Sequence, residues 1–478
     1  MDVKDLFIGG QWTTPAGSGT ITAASAGTGA RLGSVPEAVD ADVDVAVRAA
    51  RAAFDAPGGW PQWEPERRAA AMLRLAGALE ARSRLTARTV SAQNGMPIST
   101  AEPFEGTVPA ALLRYYAALA TGTPLEERRA GLPAGSTLVR REPVGVVAAI
   151  MTWNFPQTIA FFKIAPALAA GCTLVLKPAP ETVLDSMVLA DAVEEASLPR
   201  GVVNLVPGGP EVGAYLVSHP GVDKVSFTGS TAAGRQVAAA CAALLRPVTL
   251  ELGGKSAAVV LDDADLGSLS ERFFMAGLLN NGQTCFASTR ILAPRGRYQE
   301  VVEFCTALAL GAVVGDALDP ATQIGPLVSA RQRDRVEGYI ARGLEEGARL
   351  TAGGGRPAGL DRGWFVEPTV LADVDNASVV AQEEIFGPVL TITPYDGEDE
   401  AVRLANDSAY GLAGTVWTAD PEHGTRVARR IHSGTVGING YVPDLASPYG
   451  GVKSSGLGRE LGPEGLQAYQ QFQSVYRQ

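Results

Sequence analysis

Histidine is scarce in this 478-residue chain, basic charge is in deficit, and no long apolar run interrupts it. The three histidines, His219, His423 and His432, stand apart from any Cys, Asp or Glu cluster with metal-ligand spacing. That argues against a zinc site or a Ser-His-Asp triad, and no metal is expected. The four cysteines, Cys172, Cys241, Cys285 and Cys305, fall 69, 44 and 20 residues apart. Such spacing is neither a CxxC pair nor a secreted disulfide framework, so reduced thiols are expected. Forty Lys plus Arg against 51 Asp plus Glu leave a net charge of −11 with no basic block. Nucleic acid and anionic membrane are therefore poor partners. The opening Met-Asp-Val-Lys-Asp leads into a polar stretch without the apolar core of a signal peptide, and no 18-residue apolar run follows. A cytoplasmic protein is expected.

What the chain does have is length for two large lobes, each able to bury a sheet under helices. Apolar residues at helical spacing predict scaffold helices over Ala41–Phe54, Glu66–Ala81 and Ala110–Leu119. From Val144 the pattern changes to short apolar runs, at Val144–Met151, Cys172–Leu176, Val202–Val206, Lys224–Phe227 and Val248–Leu252. Helix-length segments separate them, around Thr158–Ala170, Leu184–Ala196, Glu211–Ser218 and Thr231–Leu245. Alternating strand and helix predict an α/β fold with a parallel, doubly wound, Rossmann-like sheet. Ligands bind such sheets beyond the carboxyl ends of the strands. Here those ends read Thr152-Trp-Asn-Phe-Pro, Lys177-Pro-Ala-Pro-Glu, Pro207-Gly-Gly-Pro, Thr228-Gly-Ser-Thr and Glu251-Leu-Gly-Gly-Lys. Five polar or Gly-rich motifs should converge on one crevice. A second mixed region after about Gly254 reads as a catalytic lobe, and the charged, Gly- and Pro-containing segment Pro124–Glu142 as a protruding hairpin suited to subunit contact.

Taken singly, each motif keeps two readings. Gly229-Ser-Thr-Ala-Ala-Gly234 follows a strand and opens a helix, which suits a phosphate as readily as a tight turn with close helix packing. Cys285 follows the polar Asn280-Asn-Gly-Gln-Thr, unlike the apolar settings of the other cysteines. Local sequence leaves it either a nucleophile or a structural thiol. Glu251 ends an apolar strand before two glycines, as a general base, as a carboxylate at a helix N-terminus or as a structural ion-pair partner. Asn154 could donate to an oxyanion or cap the helix beginning at Phe155-Pro156.

Together the motifs resemble the aldehyde dehydrogenase superfamily, from Leu6-Phe-Ile-Gly-Gly-Gln-Trp to Gln473-Ser-Val. The specific blocks are Trp153-Asn-Phe-Pro, Phe227-Thr-Gly-Ser-Thr, Glu251-Leu-Gly-Gly-Lys-Ser, Gly282-Gln-Thr-Cys, Glu383-Glu-Ile-Phe-Gly-Pro-Val and Tyr449-Gly-Gly-Val-Lys-Ser-Ser-Gly-Leu-Gly-Arg-Glu. The resemblance implies that Cys285 is the nucleophile, that Asn154 and the Cys285 backbone N–H form the oxyanion hole, and that Glu251 activates the deacylating water. Lys163 and Glu460 match positions of a proton path. It implies a nicotinamide cofactor, NAD with NADP as the alternative. Ile150, Thr152, Trp153, Lys177, Pro180, Gly209, Gly229, Ser230, Glu384 and Phe386 would hold it. Thr152 stands where many relatives carry proline, and Pro180 where many NAD-preferring relatives carry a ribose-binding glutamate.

The resemblance also implies a cofactor-binding domain over 1–120 and 143–252, a catalytic domain over 253–445, and oligomerisation and bridging segments at 121–142 and 446–478. A homodimer or homotetramer would follow. The substrate tunnel would be lined by Val108, Leu112, Phe155, Ile159, Phe162, Thr284, Phe286, Tyr441 and Tyr449, among which no Arg or Lys occurs. That favours an aromatic, medium-chain or terpenoid aldehyde over a semialdehyde bearing a carboxylate. A CoA-acylating relative is the nearest rival, disfavoured by the presence of Glu251. A silent structural or binding protein on the same scaffold is disfavoured by intact Cys285, Glu251 and Asn154.

Overall fold

Along the strand Val146–Ile150, alternate side chains face opposite ways. Val147 and Ala149 enter one apolar core and Val146, Ala148 and Ile150 another. A strand buried on both faces is the mark of a sheet covered by helices on each side. The computed structural model, which describes residues 1–132 and 135–477, contains such a sheet. Its six strands run in the order Gly456–Leu457, Val248–Glu251, Lys224–Thr228, Val146–Ile150, Thr173–Lys177, Val203–Leu205. All pairings are parallel except that of the short edge strand Gly456–Leu457.

The chain starts at the central strand Val146–Ile150, works outward to Val203–Leu205, then returns to lay Lys224–Thr228 on the other side of its starting strand. The order reverses between those two central strands, and that switch point opens a crevice at their carboxyl ends. The helix Pro156–Ala170, entered through Pro156 in its first turn and stopped by Gly171 at φ 95°, is buried along its whole length. A helix buried all round is a core helix, and its Thr158, Ile159 and Phe162 line a cavity beside the crevice. Helices Asp40–Asp55, Pro210–Ser218 and Thr231–Ala243 contribute to the core on the opposite face. The doubly wound expectation holds.

A second sheet has seven strands, in the order Arg349–Ala352, Thr369–Ala372, Val389–Tyr395, Arg290–Pro294, Ala257–Val260, Gly414–Trp417, Gly437–Ile438, with only Arg349–Ala352 antiparallel. The hairpin is formed by Glu126–Ala130 and Ser136–Pro143, and Gln470–Arg477 adds a third antiparallel strand. The hairpin's residues 133 and 134 lie outside the described residues. The tail thus divides: Gly456–Leu457 extends the first sheet beside Glu251, while Gln470–Arg477 joins the hairpin. Among the described residues no helix is long and apolar enough to cross a membrane.

Candidate active site

Asparagines build the loop that carries Cys285. Asn280, Asn281 and Gly282 take positive φ of 52°, 61° and 70°, a backbone that Asn and Gly tolerate better than other residues. The Asn281 amide donates to the carbonyls of Gly95 and Pro326, both at 2.9 Å, and accepts the Gly325 N–H at 2.6 Å. Gln283 accepts the Val328 N–H, and the Thr284 hydroxyl turns back to the Leu279 carbonyl. Gly254 passes so close that a Cβ there would lie 2.4 Å from the Cys285 carbonyl oxygen. Cys285 emerges half-buried, whereas Cys172, Cys241 and Cys305 are buried. Burial pushes its thiol up to about 12, opposed by the Tyr449 hydroxyl and the Phe286 backbone N–H and reinforced by Glu384 and Glu251. Ionising it requires a proton acceptor at hand.

Asn154 is pinned beside this loop. Its carbonyl accepts from Asn94 at 3.1 Å and Asn280 at 2.9 Å, and its Nδ2 donates to the Gln283 carbonyl at 2.9 Å. The amide keeps a second N–H, which can serve a developing oxyanion on a substrate.

Glu251 ends its strand with a buried carboxylate, and neither oxygen has a protein partner among the described residues. Gly450, at φ 148°, leaves the room, since a Cβ there would lie 2.6 Å from Glu251 Oε1. Burial first, then the Glu460 carboxylate, raise the Glu251 pKa well above the usual range, against Lys163 and Arg459. A carboxyl so raised becomes a base only as pH climbs through its pKa, so a step that needs the Glu251 carboxylate accelerates with rising pH. Behind it, Lys163 Nζ donates to Glu460 Oε1 at 2.6 Å and to Thr228 Oγ1 at 2.7 Å, and Ser226 donates to the same Glu460 oxygen at 3.3 Å.

Two cavities meet at Cys285 and Thr228. One, about 210 Å³, is walled by Phe104, Val108, Phe155, Thr158, Ile159, Phe162, Phe286, Val442, Pro443, Leu445 and Tyr449, with Glu251 and Glu460 at its inner end. The other, about 440 Å³, is the more polar of the two, with Thr152, Trp153, Asn154, Gly229, Ser230, Leu252, Gly253, Arg331, Gln332, Arg335, Glu384 and Phe386 around it. A larger groove of about 800 Å³ shares only Phe104 with this site.

The polar crevice fits a dinucleotide by its donor set. Ser230 caps the 13-residue helix Thr231–Ala243 through Oγ, and the helix N-terminus favours a phosphate. Gly234 also packs tightly, a Cβ there meeting Leu252 Cδ2 at 2.4 Å, so both readings of the Gly229–Gly234 motif apply. Glu384 accepts the Gly254 N–H at 3.0 Å, and burial pushes its carboxyl up to about 7. The Phe386 ring meets Trp153 edge-on at 5.2 Å.

Four residues assigned to the cofactor lie outside this crevice. Ile150 is in the core of the strand face. Lys177, Pro180 and Gly209 sit at neighbouring strand ends, where Glu37 and Glu211 approach Gly209. Lys177 is pushed down to about 8 by burial, with Glu181, Glu211 and Glu37 opposing. Three residues assigned to the tunnel do not line it. Leu112 is fully buried in the helical core, the Thr284 hydroxyl is tied to Leu279, and Tyr441 lies behind Phe286, bonded to Thr435. Sequence reading missed Arg331, Gln332 and Arg335, which come from the helix Ala330–Glu345 of the other lobe. Gln332 donates to the Phe386 carbonyl and Arg335 to that of Glu384, which ties this helix to the crevice. Phe104, Thr158, Val442, Pro443 and Leu445 were also missed. Among the described residues no cluster of His, Cys, Asp or Glu could hold a metal.

A half-buried thiol between an apolar pocket and a dinucleotide crevice describes a cysteine-based oxidoreductase. Over residues 12–475 the sequence matches the aldehyde dehydrogenase family; the chain belongs to that family and is an aldehyde dehydrogenase. The geranial dehydrogenase of Castellaniella defragrans is 57% identical over 476 residues, covering 100% of this chain and 99% of the relative. The aldehyde dehydrogenase of Mycobacterium tuberculosis complexed with NAD+ is 50% identical with a TM-score of 0.98, covering 100% of this chain and 99% of that one. A mutant aldehyde dehydrogenase of Pseudomonas syringae, complexed with NAD+ and octanal, is 39% identical with a TM-score of 0.93, covering 99% of this chain and 96% of that one.

Proposed function

We propose that this aldehyde dehydrogenase oxidises an apolar aldehyde, terpenoid, aromatic or medium-chain, to the carboxylic acid with NAD through a thioester on Cys285. The observation that carries the reading is the position of Cys285 at the junction of an apolar cavity and a polar crevice. The Cys285 sulfur adds to the carbonyl carbon, and Asn154 with the Cys285 backbone N–H receives the oxyanion. When bound, the nicotinamide supplies the oxidant that turns this adduct into a thioester. Thr152, Trp153, Glu384 and Phe386 would hold its nicotinamide half, with Gly229 and Ser230 at the pyrophosphate. Glu251 takes a proton from the water that opens the thioester, and Lys163 with Glu460 carries it away. The cofactor-binding domain is assigned to 1–120 and 143–252, and the catalytic domain to 253–445. Segments 121–142 and 446–478 are assigned to oligomerisation and bridging, supported by exposed Phe472 and Tyr476 on the outer strand. Analytical ultracentrifugation distinguishes the homodimer or homotetramer from a monomer.

The cavity holds no Arg or Lys, and its charged residues are Glu251 and Glu460. A substrate carboxylate would lose its hydration there and meet like charge. Octanal or geranial should therefore exceed succinic semialdehyde in kcat/KM by roughly 10²-fold or more. The reverse ranking in an aldehyde panel refutes the apolar substrate class. The names of the Castellaniella defragrans relative and of the octanal complex support the same class.

For the cofactor, the three carboxylates around Lys177 support NAD over NADP, because a 2′-phosphate would be repelled by them and met by one cation. Arg331 Nη2 lies 3.2 Å from Glu181 and would partly offset that repulsion. Preference for NAD is thus expected, but below that of relatives with a glutamate at position 180. Pro180→Glu should raise the NAD-to-NADP ratio of kcat/KM by about tenfold. An unchanged ratio means that position 180 does not face the ribose.

A further inference from the structure

Tyr449 has a hydroxyl whose side-chain hydrogen-bond partner among the described residues is the Cys285 sulfur, 3.3 Å away. The residue is 5% exposed. As a mere wall of an apolar cavity it would gain nothing from that oxygen, since phenylalanine would bury the same ring with no polar atom to satisfy. Tyr449 is also held in place. Its backbone N–H donates to the Glu460 carbonyl at 2.7 Å and its carbonyl accepts the Glu460 N–H at 2.8 Å, an isolated antiparallel bridge. Its ring meets Phe162 edge-on at 6.0 Å. The hydroxyl is thereby fixed against the sulfur from the side of the apolar cavity.

Resting on the reading of Cys285 as the nucleophile, we propose that the Tyr449 hydroxyl is a further catalytic group, donating a hydrogen bond to the Cys285 thiolate and favouring its formation. The phenol keeps its proton throughout; the thiol proton leaves to solvent water, and no covalent bond to oxygen forms. The ionisable groups facing the sulfur are Glu251 on the strand Val248–Glu251, Glu384 after the helix Val379–Gln382, and Tyr441 and Tyr449 from the C-terminal segment. Both carboxylates disfavour a thiolate, so donors must offset them. The donors at the sulfur are Tyr449 and the Phe286 backbone N–H. Burial, the thiol and the neighbouring Glu251 keep the phenol above its usual range, so it stays a donor. Once the sulfur bonds to carbon its negative charge passes to the substrate oxygen and this hydrogen bond weakens. Tyr449 therefore acts wherever the sulfur carries charge, on attack and again when the thiolate leaves as the thioester is hydrolysed.

The test is Tyr449→Phe in the full-length protein, with iodoacetamide labelling of the Cys285 peptide followed by mass spectrometry across pH. The labelling profile should move upward by about one unit, so that labelling at pH 7.5 slows about tenfold. The single-turnover burst with octanal and NAD should slow by a similar factor and recover at high pH, with KM changed by less than about threefold. Superimposable labelling profiles would overturn the proposal and leave Tyr449 a wall residue. Global 3-fluorotyrosine incorporation tests the same bond without changing the fold, because a more acidic phenol is a stronger donor. It should move the profile downward, and an unmoved or raised profile contradicts the proposal. If wild-type protein labelled at Cys285 keeps its aldehyde dehydrogenase activity, the nucleophile reading itself has failed, which is a separate outcome.

Discussion

Cys285→Ala is expected to lower steady-state aldehyde oxidation by roughly 10⁴-fold or more, since the covalent route disappears and only binding and oxyanion stabilisation remain. NAD affinity should stay within about threefold, because the crevice wall is built from other elements and alanine removes one sulfur atom. The reason no other cysteine can substitute is geometric. Cys172, Cys241 and Cys305 are buried in cores, burial pushes Cys172 and Cys305 up to about 11 and about 12, and none of the three lines either cavity that meets at Cys285. Turnover within tenfold of wild type in Cys285→Ala would remove Cys285 from the chemistry. Steady-state NADH absorbance and a fluorescence titration with NAD measure the two halves of this expectation.

Glu251→Gln is expected to separate acylation from deacylation. The substitution keeps the size of the side chain and removes the base, so one turnover of NADH should appear as a burst, followed by turnover slowed roughly 10²–10⁴-fold. The burial of Glu251 beside Glu460 sharpens the expectation for pH. In wild type, deacylation should rise with pH through the raised Glu251 pKa, and in Glu251→Gln that rise should vanish. Stopped-flow absorbance across pH reads both. A linear, near-wild-type progress curve without a burst would make Glu251 structural. If Glu251 also deprotonates the thiol, the burst slows together with the steady state.

The central sheet was legible because its strands are short, mostly apolar runs buried on both faces. The run Val144–Met151 contains the strand Val146–Ile150, and Val248–Leu252 contains Val248–Glu251. The helix around Thr158–Ala170 begins two residues earlier, at Pro156, whose fixed φ suits the first turn. The motifs at strand ends were legible for the same reason, since position at the end of a buried strand dictates where the crevice is. Residues delivered from elsewhere in the chain gave no local signal. Arg331, Gln332 and Arg335 lie on an amphipathic helix whose polar face reads as solvent-exposed, and only the docking of the second lobe brings that face to the crevice. Glu37 precedes the helix Asp40–Asp55, far upstream of the Lys177 it approaches. On the helix Val108–Gly122, Val108 reaches the cavity while Leu112, one turn on, turns into the packing against helices Pro65–Glu80 and Pro156–Ala170. Spacing along a helix marks a stripe, and where along that stripe the cavity ends is decided by neighbours that the local sequence does not contain.

The most direct measurement is acid quenching of Glu251→Gln during its slow phase with octanal and NAD, followed by peptide mass spectrometry. A thioester mechanism on Cys285 predicts an octanoyl adduct on the peptide containing Cys285, near one per subunit, released by hydroxylamine and absent in Cys285→Ala. An adduct on another cysteine, or turnover with no adduct on Cys285 at any time point, would contradict it.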